Sequence, residues 1–306
     1  MRTDDGSCVQ EIPEAALNGE LAAGSLVKTA RAVRTESRLP SFRVLGVPVH
    51  ALRMSDAVEQ LCSWIEDPQP ISRFVAVTAM HGIAESRQND YFRLILNTAD
   101  LVVPDGMPLV WVGRGKGFPW LRRVCGSELM DNFCRLTGPI YRHFFFGGTP
   151  GVAEKLADAL QKKHGITVAG TYTPPFRALT DAEEETLSSL VTETSPNVFW
   201  VGLSSPKQEK WMYEHRHKLG VPVMLGVGAA FDMNSGGLRR APKWMGDNGL
   251  EWLYRLGCEP ARLWRRYLLT IPKAMWFVLM DRLQFPKLRF APRETEADAP
   301  EETARE

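Results

Sequence analysis

The stretch from residue 141 to 227 constrains the fold of this chain more than any other. Four apolar segments, 141–146, 166–171, 197–203 and 221–227, alternate with helical patterns over 152–163, 181–193 and 206–219. Pro206 suits the first turn of its helix, where the missing N–H has no partner to lose. A β-α-β-α-β-α-β order predicts parallel strands with right-handed crossovers and helices on the sheet faces. In such open sheets, ligands and reacting groups collect at the C-terminal ends of the strands.

The preceding segment reads in the same way with weaker periodicity. Residues 42–49 read as a strand, and Ser55 caps a helix to about Ile65 that carries Ala57, Val58, Leu61 and Trp64 on one face. Residues 74–78 form a buried strand ending at Thr78, and 85–98 are helical. Leu101, Val102 and Val103 form a short strand that Pro104 stops. The Gly/basic run 113–117 breaks the next helix, and another helix follows Arg122 to about Leu136. The fold class is therefore α/β, with Rossmann-like parallel sheets in two lobes, 42–138 and 139–238. A basic, aromatic helical appendage follows over 239–290. Residues 1–41 read as a mobile extension and 291–306 as an acidic, disordered tail.

Composition narrows the function. A net charge of +1 over 306 residues argues against a nucleic-acid binder. The charge is uneven: 239–293 carries twelve Lys/Arg against four Asp/Glu, whereas 294–306 carries six acids and one Arg. Such a basic surface suits phosphates, an anionic membrane or an acidic partner. Within 263–290, Arg and Lys interleave with Trp264, Leu268, Trp276, Phe277 and Phe285, as in a segment lying in the plane of an anionic membrane. The five cysteines are scattered without metal spacing and read as reduced thiols. No secretory signal or membrane-spanning segment is evident.

Several residue groups could carry chemistry. Asp105-Gly106 follows the 101–104 strand, which puts a carboxylate at the ligand edge; an Asp-Gly pair is also an ordinary turn. Gly147-Gly148-Thr-Pro-Gly151 joins a strand to a helix N-terminus, which favours anions. The full GxGxxG fingerprint is not met, and no acidic residue closes the next strand near Thr171, which counts against a nicotinamide enzyme. Ser204-Ser205-Pro206-Lys207-Gln208-Glu209 either caps its helix or lines the ligand edge. Arg255, Arg262 and Arg265 fall on one face of a continuous helix, as a solvated or membrane-facing stripe or as a diphosphate clamp. No DxD pair follows a strand, so no metal is expected to hold a diphosphate. His81 also falls at a ligand edge but reads as structural.

Taken together, the motifs resemble one family. Asp-Leu-Val-Val-Pro-Asp105-Gly-Met-Pro, Arg123-Val-Cys-Gly126, Phe-Gly-Gly-Thr-Pro-Gly151 and Pro206-Lys-Gln-Glu209 form one set. Gly226-Val-Gly-Ala-Ala-Phe-Asp232, Arg240-Ala-Pro-Lys-Trp244 and the stretch from Gly249 through Arg255, Arg262 and Arg265 form the other. In this order they resemble the WecG/TagA/CpsF glycosyltransferases. The resemblance implies transfer of a sugar from a UDP-sugar to a polyprenyl-diphosphate-linked sugar at the inner face of the cytoplasmic membrane. It implies inversion, no metal and no cofactor, in surface-polysaccharide biosynthesis.

The same resemblance implies Asp105 as general base. Thr78, Arg123, Gly147, Gly148 and Gln208 would contact substrate, and Arg255, Arg262 and Arg265 would hold the diphosphate. Met80, Ser204 and Glu128 depart from the family's common Asn, Gly and Asp, so the sugar stays open among an N-acetylmannosamine type, a uronic acid and a hexose. A non-catalytic, membrane-associated assembly subunit is the alternative. Exposed aromatics are compatible with a homo-oligomer.

Overall fold

The computed structural model describes residues 39–68, 71–238, 241–247, 249–265, 268 and 271–284. The expected extension up to residue 38, the acidic tail and the end of the appendage lie outside these residues.

The chain opens with a hairpin, β1 (Ser41–Val44) and β2 (Val47–His50), where one strand over 42–49 was expected. Leu45 and Gly46 both take positive φ, +50° and +86°, and turn the chain so that Val44 faces Val47. Two positive φ values are what a tight hairpin turn demands. Helix α1 (Met54–Ile65) follows, then β3 (Arg73–Thr78), α2 (Met80–Ser86), α3 (Asp90–Thr98) and β4 (Leu101–Pro104). The helix expected over 85–98 is thus two. Asn89 breaks it by capping α3, its side chain accepting from the Phe92 N–H at 2.9 Å.

Next come α4 (Met107–Gly115), α5 (Gly126–Thr137), β5 (Arg142–Gly147), α6 (Val152–His164), β6 (Thr167–Tyr172), α7 (Asp181–Thr194), β7 (Val198–Gly202), α8 (Lys207–Leu219) and β8 (Val223–Gly226). The helix expected to break at Gly113 runs on to Gly115, with Gly113 packed against Leu121 and Phe42. Helices α9 (Ala230–Asn234), α10 (Lys243–Asp247), α11 (Glu251–Cys258), α12 (Pro260–Arg265) and α13 (Ile271–Gln284) complete the described chain.

The strands from both halves join in one parallel sheet of six, in the order β4-β3-β8-β7-β5-β6. Two separate sheets were expected. They merge because β8, the last strand in sequence, inserts between β3 and β7: Phe74 pairs with Met224, and Phe199 pairs with Met224 from the other side. Alternate residues serve opposite faces. Val75, Val77, Phe145 and Trp200 pack under α1, α5, α6 and α9 through Leu61, Phe133, Leu156 and Phe231. Phe74, Phe144, Phe146 and Phe199 pack with Leu187, Val191 and Met212 of α7 and α8, and Ala76 and Val102 pack with Met80, Ile83 and Phe92. The hairpin shields the β4 side of the sheet, where the His50 ring accepts from the Val102 N–H at 3.0 Å.

The C-terminal helix returns to the body. Ala274 and Val278 of α13 join the cluster of Met80 and Ile83, and the Arg87 guanidinium lies 4.3 Å from the Phe277 ring. Trp276 and Leu279 on the same helix face outward. Among the described residues, no helix is long and apolar enough to cross a membrane.

Candidate active site

Because all six strands are parallel, their C-terminal ends share one edge, and the sequence-predicted residues divide along it. Thr78 ends β3, and its carbonyl accepts from the Asp105 N–H at 2.9 Å, which fixes the turn after β4 beside it. The Val124 N–H in turn donates to the Pro104 carbonyl at 3.1 Å, bringing the segment that enters α5 against the same turn.

Asp105 is the electrostatic centre of this edge. Burial pushes its carboxyl up to about 7, and nearby Glu251 pushes the same way. Arg123, a hydrogen bond from the Cys125 thiol and Arg255 oppose them. Burial also pushes the Cys125 thiol upward, with the charges of Asp105, Glu251 and Glu128 adding to it, so Cys125 stays a protonated donor. A carboxyl with a value near neutrality can both take and release a proton at working pH.

Arg123 is engaged on both sides. Its Nη1 is paired with Glu251 and its Nη2 lies 3.1 Å from Glu128. Burial works against its charge, but Cys125, Glu128, Glu251 and Asp105 together hold the guanidinium protonated. Arg255, one helical turn after Glu251 on α11, presents a buried Nε with no hydrogen-bond partner among the described residues. Buried donors without partners are uncommon in folded proteins and point to a ligand.

The expected continuous helix from Arg255 to Arg265 is divided. Helix α11 ends at Glu259, which leaves helical geometry (φ −133°, ψ 60°), and Pro260 starts α12, because proline cannot continue a preceding helix's hydrogen bonding. Arg262 and Arg265 belong to α12; their side chains lie outside the described residues.

Gln208 is buried at the start of α8, against Gly226 and Gly228 beyond β8. Its amide nitrogen donates to Glu209 at 3.0 Å, and its carbonyl oxygen has no partner among the described residues. Burial raises the Glu209 carboxyl, with Gln208 and Ser205 opposing. Gln208 thus sits one strand from Thr78, since β8 is the neighbour of β3.

Gly147 and Gly148 end β5, on the far side of β8 and β7. At about 4.8 Å per strand spacing, they stand about 19 Å from the Asp105 strand. Gly147 takes φ +127°, and a Cβ there would sit 2.6 Å from the Gly202 carbonyl oxygen, so its lack of a side chain serves strand packing. The edge therefore brings Thr78, Asp105, Arg123 and Arg255 together, sets Gln208 next to them and keeps the β5 glycines apart.

Two participants were not singled out in the sequence: Cys125 and Glu251. The signal for Glu251 was its spacing of four before Arg255, which sets both on one helix face.

The fold and site define an open, parallel α/β sheet protein in which titratable and cationic side chains converge at the strand C-termini. The chain belongs to the glycosyl transferase WecG/TagA/CpsF family, whose model matches residues 42–288. It is 32% identical over 197 residues to a Bacillus spizizenii N-acetylglucosaminyldiphosphoundecaprenol N-acetyl-beta-D-mannosaminyltransferase, covering 64% of this chain and 74% of that protein. A Staphylococcus aureus protein of the same name is 25% identical over 259 residues, covering 84% of this chain and 99% of its own length.

Proposed function

We propose that this chain moves a sugar from a UDP-sugar to a polyprenyl-diphosphate-linked sugar, inverting the anomeric centre without a metal. The observation that carries the reading is the carboxyl of Asp105, raised to about 7 beside the guanidiniums of Arg123 and Arg255. Asp105 takes the proton of the acceptor hydroxyl as its oxygen attacks C1 from the face opposite the diphosphate. One displacement inverts the centre, and the departing UDP needs a counter-charge. Arg255, with its unpartnered buried Nε, supplies it, and Arg262 and Arg265 follow on the next helix as further ligands.

Gln208 offers a carbonyl oxygen to a donor on the sugar or base, since its amide nitrogen is occupied by Glu209. Thr78 and the β5 turn at Gly147 and Gly148 extend the substrate edge. The relatives' names point to N-acetylmannosamine as donor sugar and N-acetylglucosaminyl-diphospho-undecaprenol as acceptor; uronic acid and hexose donors are the competing assignments. Exposed Trp244, Trp252, Trp264 and Trp276 in the basic appendage favour a peripheral seat on the inner face of the cytoplasmic membrane, where that acceptor resides.

The test is UDP release by purified protein in EDTA, with a panel of UDP-sugars and a short polyprenyl-diphospho-N-acetylglucosamine. Acceptor-dependent release from one donor is the expected result. Release that requires an added divalent cation would reject metal independence. UDP binding without release from any donor would point to a different acceptor or a missing membrane partner, and no UDP binding at all would favour a non-catalytic subunit.

A further inference from the structure

Among the described residues, Glu251 ties helix α11 to the body of the protein. Its carboxylate pairs with Arg123 Nη1, while Glu128 holds Nη2 of the same guanidinium at 3.1 Å. The chain leading into α11 fits closely around this pair. A Cβ on Gly246 would lie 3.0 Å from Arg123 Nη2. Gly249 takes φ +73°, and a Cβ there would lie 3.1 Å from the Met107 Cβ and 3.2 Å from the Trp111 ring. The Leu250 N–H then closes the turn onto the Met245 carbonyl at 2.7 Å. Arg255, four residues after Glu251, shares its helix face and acts on Asp105, yet its Nε finds no partner among the described residues.

We infer that Glu251 is a positioning residue: through Arg123 it latches α11 onto the segment entering α5 and thereby holds Arg255 beside Asp105. Arg123 is then the receptor of the latch rather than a ligand of substrate. The inference rests on the reading of Asp105 as base and Arg255 as diphosphate ligand. The groups facing Asp105 are Glu251 and Arg255 from α11 and Arg123 and Cys125 from the segment entering α5, with Glu128 of α5 behind them. Of the charges that act directly on Asp105, Glu251 is the one that opposes ionisation, so removing it favours the ionised carboxyl.

Hydrogen exchange on peptides covering 249–258 tests the latch without reference to catalysis. In Glu251→Ala, protection of α11 should fall about tenfold; unchanged protection overturns the latch. UDP titration tests its consequence: Glu251→Ala should weaken UDP about tenfold. The double variant Glu251→Ala/Arg255→Ala should be no weaker than Arg255→Ala alone, because both act through one group. Additive losses would show that Glu251 does not work through Arg255. If Arg255→Ala itself leaves UDP affinity unchanged while α11 loses protection in Glu251→Ala, the diphosphate reading fails and the latch stands. Glu251→Gln keeps a hydrogen bond to Arg123 but not the charge. It should move the acid limb of kcat/KM down by about half a pH unit or more, a shift that mere loss of packing does not produce.

Discussion

Replacing Asp105 by Asn should abolish turnover and at the same time stabilise the protein, with a defined pH dependence. The folded carboxyl stands at about 7 against an ordinary value of 3.8, with burial as the first cause. A carboxyl raised by folding binds more protons in the native than in the unfolded state between those values. Native stability therefore falls as pH rises from about 4 to about 7, and the ionised group is a liability above that window. A difference of about three pH units at about 1.4 kcal/mol each sets a ceiling of about 4 kcal/mol at pH 8. The residue keeps partial solvent access, which brings the expectation to about 2 kcal/mol.

Asparagine has the same shape and no charge to desolvate. Asp105→Asn should thus melt about 4–8 °C higher at pH 8, with the gain shrinking by more than half at pH 5. Turnover should drop about 100- to 10,000-fold, the range of a general base. In the native enzyme, kcat/KM should fall about tenfold between pH 8 and pH 6, as a base with a value of about 7 loses its ionised form. Scanning calorimetry at the two pH values and a pH–rate profile read all of this. A variant that melts lower at pH 8, or an acid limb near pH 4, would refute the desolvated carboxyl.

Two further expectations concern the scaffold that aligns the site. Gly147→Ala combines φ +127° with a Cβ 2.6 Å from the Gly202 carbonyl oxygen, so it should cost about 3 kcal/mol or more; a melting temperature within a degree or two of the parent would contradict that packing. His143, buried in the core, accepts from the Trp200 indole at 3.0 Å, and burial depresses its value to about 3. The unfolded chain then takes up a proton below about pH 6.5 that the native state refuses, so stability falls as pH falls from there to about 3. His143→Phe should flatten that part of a urea-midpoint profile, and identical slopes in variant and parent would exclude His143 as its source.

What the sequence disclosed was mainly what repeats along the chain. Alternating strand and helix patterns announced β5 to β8 within a residue or two, because each segment buries its own apolar set. The order in which strands lie side by side leaves no such trace. Nothing local in residues 221–227 reports that β8 will separate β3 from β7 and so fuse two expected sheets into one. The hairpin at Leu45-Gly46 was hidden for a related reason: a non-glycine residue at positive φ is rare enough that Val44-Leu45-Gly46-Val47 reads as one strand.

At the site, single residues with sharp chemistry were legible, and the bonds between them were not. Asp105 stood out because a proline and a glycine enclose it at a strand end. Arg123 stood out as a cation in a motif, yet its charge is answered by Glu128 nearby and by Glu251 far along the chain. That pairing changes what Arg123 can do. A guanidinium engaged by two carboxylates is neutralised before any diphosphate arrives, whereas Arg255 keeps a buried nitrogen without a partner among the described residues. On the proposed reading, the cation free to meet a diphosphate at this edge therefore comes from the segment after Gly249. An enzyme arranged in this way holds its base on the sheet and part of its leaving-group charge on the appendage. On the function proposed above, docking of that segment through Glu251 is then a condition of catalysis.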